Sequence, residues 1–171
     1  ASQGNIEAAC LSTCSSKKIP HSRFINIKYI NDNEFIFFSN YQSLKAEDIQ
    51  DNNNVALTFY WNSINLQIRI QGIVNKLDKK RSNDHWELRQ NKKNILSISS
   101  NQSSQISSYS MVEEKYKKYA KQDILNRPNY WGGYIIVPNY FEIWQGHKSR
   151  INKREVFKFF NDSWENFFLE P

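Results

Sequence analysis

The stretch Leu66-Gln67-Ile68-Arg69-Ile70-Gln71, which runs into Gly72, decides the fold. Apolar and polar residues alternate strictly along it, and this period of two is typical of a β-strand with one buried and one polar face. A glycine at this point of a strand indicates a bulge or a bend, which barrels use to curve their sheets. We therefore predict that this strand belongs to a curved antiparallel sheet.

Other short strands are predicted on both sides of this stretch. They cover residues 6–14, 23–30, 34–39, 55–61, 134–137, 140–145, 155–160 and 163–169. Helices are predicted over residues 43–50, over 78–98 and around 112–119. Closely spaced strands with few helices favour a mainly β chain with peripheral helices, folded as one antiparallel barrel domain over residues 1–171.

The composition limits the class of protein. Aromatic residues make up 15% of the 171 residues, which favours strands, and the mean hydropathy is −0.72. No segment approaches the roughly 18 consecutive apolar residues of a membrane span, and no charged and apolar leader opens the sequence. We expect no contact with a membrane.

Cys10 and Cys14 lie four residues apart in one predicted strand, which places their Cα atoms roughly 13 Å apart. A disulfide requires Cα atoms within about 7 Å of each other. Two free thiols are typical of a reducing compartment, so we expect a cytoplasmic location.

The net charge of +6 favours an anionic partner, either nucleic acid or a phosphorylated small molecule. Nucleic-acid-binding proteins usually gather basic residues on one stripe or helix, whereas here the basic residues are scattered in short runs. The scatter favours the small molecule, and we expect no nucleic-acid partner.

Several chemistries lack their motifs. Gly132-Gly133 is too short for a dinucleotide-binding loop, no serine lies in a nucleophile elbow, and the histidines and cysteines lack zinc-site spacing, so we expect no metal. What remains is a set of cations and amides on or beside strands. Such groups could hold a phosphate at a barrel mouth, with Gln67 and Trp144 beside a planar ring.

A series of segments, in order along the chain, resembles the pyridoxamine 5′-phosphate oxidase family. The segments are RFINIK at 23–28, FSN at 38–40, SLKA at 43–46, Gln67, NQSS at 101–104, YWGG at 130–133, FEIWQG at 141–146, Arg150 and Arg154. The resemblance implies an FMN-binding split barrel that forms a homodimer, with FMN at the interface between the two copies.

The resemblance also implies the residues that bind FMN. Lys45 and Arg23 would be phosphate cations, Gln67 would bond the polar edge of the ring, and Gln102 and Ser103 would reach over from the partner subunit. The full implied set is Arg23, Phe24, Ile25, Asn26, Ile27, Lys28, Phe38, Ser39, Lys45, Gln67, Gln102, Ser103, Trp144 and Arg154.

The activity implied by the family is oxidation of pyridoxamine or pyridoxine 5′-phosphate. Hydride would pass to FMN, oxygen would be the final acceptor, and pyridoxal 5′-phosphate would be the product. Arg150 is the implied catalytic residue, placed beside the pyridine ring. The implied substrate set is Lys28, His85, Arg89, Lys93, Arg150 and Asn152.

Four positions depart from the family pattern. His85 stands where the family usually has tyrosine, Lys93 where it has serine, Asn152 where it has histidine, and Leu44 where it has arginine beside the FMN phosphate. The family's N-terminal extension is also expected to be absent. Two alternatives therefore stay open: an FMN-binding barrel with a different substrate, and a non-catalytic barrel that binds a phosphorylated ligand or nucleic acid.

Overall fold

The structure is a computed structural model, and it describes residues 4–121 and 126–171. In chain order the elements are β1 Ala8–Cys14, β2 Pro20–Asn26, β3 Tyr29–Asn31, β4 Glu34–Asn40, α1 Leu44–Asp51, β5 Asn54–Trp61, a 3₁₀ turn Asn62–Ile64, β6 Leu66–Lys76, α2 Lys79–Leu88, α3 Asn91–Ser99, α4 Ser110–Tyr119, β7 Trp131–Gln145, β8 Lys153–Phe160 and β9 Ser163–Phe168.

The chain divides into two compact units. The sheet unit comprises Ala1–Phe37, Asp48–Asn75 and Ile135–Pro171, and the helical unit comprises Phe38–Glu47 and Lys76–Tyr134. Strands pair in the order β2-β1-β5-β6-β7-β4-β3, with β8 on β7 and β9 on β8. The pairs β1–β2, β1–β5, β3–β4, β5–β6, β7–β8 and β8–β9 are antiparallel, so the predicted mainly antiparallel β class is confirmed.

The expected two faces are seen from Ile70 onward, whereas residues 66–69 are all half-buried. Ile70 and Val74 are buried in the core of the sheet unit, whereas Gln71 is exposed. Pairing with β5 continues in register through Gly72 to Ile73, so the β5–β6 pair has no bulge at the glycine. Glycine is required for another reason: a Cβ atom here would lie 2.4 Å from the carbonyl oxygen of Val137 in β7.

Four predicted elements differ clearly from those observed. The helix predicted over 78–98 is two helices, because Arg89 and Gln90 have extended backbones with ψ of 142° and 132°. The two strands predicted over 134–137 and 140–145 are one strand, β7, which starts at Trp131. The strand predicted over 23–30 ends at Asn26, so Lys28 lies beyond the regular alternation that begins at Pro20.

The helices that the structure describes are short. None of those within residues 4–121 and 126–171 combines the length and apolarity needed to cross a lipid bilayer.

Candidate functional site

A buried lysine is the centre of the first polar cluster, in the helical unit. Lys45, in the first turn of α1, is 6% exposed. Its Nζ donates hydrogen bonds to Ser39 Oγ (3.0 Å) and Ser43 Oγ (2.9 Å). Ser39 Oγ donates in turn to Gln102 Oε1 (3.4 Å). The structure thus brings together Lys45, Ser39 and Gln102 of one chain, whereas Gln102 was predicted to reach the cofactor from the partner subunit. It also adds Ser43, which the sequence indicated only as a helix cap.

An ammonium group surrounded by hydroxyl and amide groups suits an anion. Lys45 supplies a compact positive charge, and the hydroxyls of Ser39 and Ser43 can rotate to donate to an oxygen atom. Ser43 also donates to the carbonyl of Asn40 (2.8 Å), which ties the start of α1 to the end of β4. This donor set fits a phosphate group.

A stack of aromatic rings is the second cluster of the helical unit. The rings of Phe38 and His85 are 3.7 Å apart and 10° from parallel, and the rings of Phe38 and Trp131 are 5.5 Å apart and 16° from parallel. Two predicted residues therefore meet here. Trp131 was missed as a contact of these residues, although the YWGG segment contains it.

Arg89 lies over the same stack, with its guanidinium carbon 4.8 Å from the centre of the Trp131 ring. Its Nη1 donates to Ser97 Oγ (2.8 Å), Asn94 Oδ1 (3.2 Å) and the carbonyl of Lys93 (3.0 Å). Burial lowers the pKa of Arg89 from its ordinary value. The break between α2 and α3 therefore places Arg89, half-buried, at the wall of a polar pocket, while the Lys93 side chain is exposed.

Two arginines share one buried carboxylate in the sheet unit. Glu142 is 2% exposed and accepts hydrogen bonds from Arg69 Nη1 (2.7 Å), Arg154 Nε (2.8 Å) and the Tyr140 hydroxyl (3.1 Å). Burial alone would raise the pKa of Glu142, but the hydrogen bond from Arg154 and the charge of Arg69 outweigh it and lower the pKa. Arg154 was predicted, whereas Arg69 and Glu142 were missed.

The two remaining ring contacts predicted from the family also lie in the sheet unit. Gln67 stands opposite Tyr60 in the β5–β6 register, and Trp144 stands opposite Arg154 in the β7–β8 register. Both side chains are half-buried. Trp144 and Arg154 are therefore cross-strand neighbours, as a shared role requires.

The segment 23–28 provides side chains to both faces of β2. Phe24 is 77% exposed, and Ile27 is buried. Ile25 is half-buried and Asn26 is exposed. Lys28, beyond the end of β2, forms an ion pair with Glu7 at the rim of an apolar cavity of about 580 Å³ in the sheet unit.

The last predicted residues lie in exposed loops. Arg150 has a left-handed backbone with φ of 64°, and its side chain is exposed. Asn152 Oδ1 accepts a hydrogen bond from the backbone N–H of His147 (2.9 Å), which closes this loop. Ser103 is also exposed, and its backbone is in the left-handed region with φ of 74°. Across residues 4–121 and 126–171, no three His, Cys, Asp or Glu side chains converge in a way that could hold a metal ion.

Comparison with known families finds two matches that together span most of the chain. The profile described as pyridoxamine 5′-phosphate oxidase matches residues 4–123. The profile described as the pyridoxine 5′-phosphate oxidase C-terminal dimerisation region matches residues 131–171.

Curated proteins with similar sequences carry related names. The chain is 38% identical over 174 residues to a pyridoxine/pyridoxamine 5′-phosphate oxidase of Leptospira biflexa, covering 99% of this chain and 82% of that protein. It is 37% identical over 156 residues to the protein of that name in Bombyx mori, covering 88% of this chain and 61% of that protein.

Solved structures show the same fold. PhzG from Burkholderia lata, in complex with tetrahydrophenazine-1-carboxylic acid, superposes with a TM-score of 0.94 at 24% identity, covering 99% of this chain and 84% of its own. A pyridoxamine 5′-phosphate oxidase-related, FMN-binding protein of Nostoc punctiforme superposes with a TM-score of 0.79 at 14% identity, covering 97% and 88%.

Proposed function

The chain belongs to the pyridoxamine 5′-phosphate oxidase family, as its sequence resemblance predicted, and from this premise we propose that it is an FMN-dependent oxidase of pyridoxamine or pyridoxine 5′-phosphate. The observation that carries the proposal is the cluster of the buried residues Lys45, Ser39 and Ser43 with the exposed Gln102 beside Ser39, whose donors suit a phosphate. Three of these four residues match the family's FMN positions.

The residues present fit FMN with one difference. Lys45 and Arg23 supply cations for its phosphate, while Gln67, Trp144 and Arg154 supply an amide, a ring and a cation for the flavin. Leu44, at the usual arginine position, is 42% exposed and offers no donor. Since one charge-assisted hydrogen bond contributes about 1.5–3 kcal/mol, we expect FMN to bind more weakly than it would with arginine there.

FMN, when bound, would supply the hydride acceptor, with oxygen as the final acceptor. Pyridoxine 5′-phosphate would then give pyridoxal 5′-phosphate and hydrogen peroxide, and pyridoxamine 5′-phosphate would in addition consume water and release ammonia. The chain's own residues bind and orient the substrate. Lys28, Arg89 and Lys93 supply positive charge for the substrate phosphate, and His85, held in its stack with Phe38, supplies a ring nitrogen. Arg150 supplies a cation beside the pyridine ring, and Asn152 supplies an amide.

We further propose that the active form is a homodimer with FMN at the interface. The matching profile of residues 131–171 is described as a dimerisation region. Within it, β8 and β9 expose Phe159, Phe160, Trp164, Phe167 and Phe168, each between 37% and 62% exposed. By the β8–β9 register, Phe159, Trp164 and Phe168 share one face of this pair of strands. An exposed apolar face of this kind is typical of a protein–protein interface, and a second copy would cover it.

The absorption spectrum of the purified protein tests the cofactor, and turnover of pyridoxine 5′-phosphate tests the reaction. We expect the visible absorption bands of flavin and release of pyridoxal 5′-phosphate with hydrogen peroxide. Flavin-loaded protein that does not turn over either substrate would refute the proposed reaction while leaving FMN binding intact. Protein that neither carries nor takes up flavin would refute both.

A second candidate is an FMN-dependent enzyme of this family that acts on a different substrate. Two observations favour it: Lys28 is engaged by Glu7, and Asn152, which replaces the usual histidine, is engaged by the backbone of His147. Turnover of other phosphorylated and non-phosphorylated amines and alcohols, measured beside pyridoxine 5′-phosphate, separates the two candidates.

A further inference from the structure

A buried carboxylate in the sheet unit has no part in the proposed chemistry. Asp48, in α1, is 1% exposed. Its Oδ2 accepts a hydrogen bond from Thr13 Oγ1 (2.5 Å) and lies 2.9 Å from His21 Nδ1. The same oxygen lies 3.8 Å from Arg23 Nη2. Three side chains, from β1 and β2, therefore meet around one oxygen of the Asp48 carboxylate.

The β1–β2 register explains why these side chains meet. Thr13 pairs with His21, and Leu11 pairs with Arg23. His21 and Arg23 are two residues apart, so they lie on the same face of β2, and both are half-buried. Arg23 Nη1 donates to Thr13 Oγ1 (2.7 Å) and to the carbonyl of Leu11 (3.3 Å). Thr13 thus links the guanidinium to the carboxylate.

The charges around Asp48 keep it ionised. Burial alone would raise its pKa, but hydrogen bonds from Thr13 and His21, together with the charges of His21 and Arg23, outweigh burial and lower the pKa. Burial lowers the pKa of Arg23, and the charge of Asp48 opposes that effect. An arginine stays protonated near neutral pH, so the half-buried cation has a fixed counter-charge behind it.

The Arg23 guanidinium is held through both of its terminal nitrogens, since Nη1 donates hydrogen bonds and Nη2 lies 3.8 Å from Asp48 Oδ2. Nη1 makes both of its hydrogen bonds inside the sheet unit. In the part of the chain that the structure describes, Nε and Nη2 make no hydrogen bond, and the side chain is 22% exposed. These two nitrogens form an edge that can bind two oxygens of a phosphate.

We propose that Asp48 is a positioning residue which, with Thr13 and His21, holds Arg23 so that its Nε–Nη2 edge receives the FMN phosphate. This inference rests on the proposed FMN binding. Thr13, His21 and Asp48 act through Arg23 and do not touch the cofactor. The three residues lie outside the set that the family resemblance identified.

The test compares FMN with riboflavin, which has the same ring but no phosphate. Full-length protein stripped of flavin is titrated with each, and flavin fluorescence gives the two dissociation constants. Asp48→Asn keeps the shape of the side chain and removes its charge. We expect the dissociation constant for FMN to rise about tenfold, because a charge-assisted bond is weakened, and the constant for riboflavin to stay within about twofold of the parent value. Thr13→Val should shift the FMN constant in the same direction.

Asp51→Asn, at the exposed end of the same helix, is the matched control and should leave both constants unchanged. If Asp48→Asn does not fold, Thr13→Val and His21→Gln provide the same comparison. Equal weakening of both flavins would show a merely structural role and overturn the inference, as would unchanged FMN binding in all three variants. A parent protein that binds FMN no better than riboflavin would overturn the inference together with the proposed role of the phosphate.

Discussion

Replacing Glu142 by glutamine perturbs the charge network of the sheet unit without changing its shape. The parent carboxylate accepts two charge-assisted hydrogen bonds, from Arg69 and Arg154, and each contributes about 1.5–3 kcal/mol. In Glu142→Gln the amide oxygen keeps one partner as a neutral acceptor, while the amide nitrogen faces the donors of the other arginine.

The arginines reduce this loss because their side chains are 42% and 27% exposed and can turn toward water. The loss should therefore be smaller than the upper part of the 3–5 kcal/mol range for removing one partner of a fully buried pair. We expect the free energy of unfolding at pH 7 to fall by about 2–4 kcal/mol, and the melting temperature to fall by roughly 5–15 °C for a chain of this size.

The pH dependence of the free energy of unfolding shows whether the loss comes from the Glu142 charge. Glu142 has a lowered pKa in the folded state, and a glutamate in an unfolded chain has a pKa of about 4.3. A lowered folded pKa gives stability that is fully present above the unfolded value and is lost as the pH falls through the folded value. The difference in free energy of unfolding between the parent and Glu142→Gln should thus be constant from about pH 8 to 5 and shrink below about pH 4.

Urea unfolding of the flavin-free proteins, followed by tryptophan fluorescence and circular dichroism, measures this difference. Glu165→Gln is the control, because Glu165 on β9 is exposed and makes no ion pair among the described residues. It should unfold like the parent. If Glu142→Gln unfolds within about 1 kcal/mol of the parent at pH 7, or if the difference persists undiminished at pH 3, the network does not stabilise the fold as we infer.

Three other substitutions give sharp expectations. Lys45→Met should lower the FMN content at least tenfold, because one charge-assisted contact to the phosphate is lost. Lys115→Met, at an exposed lysine, should keep the FMN content of the parent. Equal flavin absorbance in the two variants would contradict the assignment of Lys45. Gly72→Ala should destabilise the protein by about 1–3 kcal/mol or more in urea unfolding, because its Cβ meets backbone, while Gly4→Ala has open space and should change nothing. Phe168→Asp should shift the proposed homodimer toward monomer in light scattering, and an unchanged mass would argue that β9 lies outside the interface.

Much of the sheet followed from local pattern. From Ile70 to Val74 the alternation is repeated in the burial of β6, because one face of the strand packs in the core, whereas residues 66–69 are all half-buried. The break at Arg89 did not follow from pattern, since the sequence there lacks proline and glycine. Packing of its guanidinium over Trp131 is a long-range contact that no local periodicity records.

Some residues of the candidate site could likewise be predicted from the sequence, and others could not. Lys45, Ser39 and Gln102 were identified through the family resemblance, and the structure joins them by hydrogen bonds. Glu142 and Asp48 were missed because a carboxylate in a strand or helix is ordinarily a surface residue. Their burial depends on arginines, a histidine and a threonine supplied by other elements, and only the three-dimensional structure shows those partners.

The close approach at Gly72 has a consequence for alignment within the sheet unit. The main chain of β7 at Val137 touches β6 where no side chain intervenes, which fixes how far one strand can slide along the other. Arg69, three residues before Gly72, and Glu142, five residues after Val137, meet at hydrogen-bonding distance. Gly72 thus helps to set the register of β6 against β7, and this register brings the polar groups of the two strands into contact.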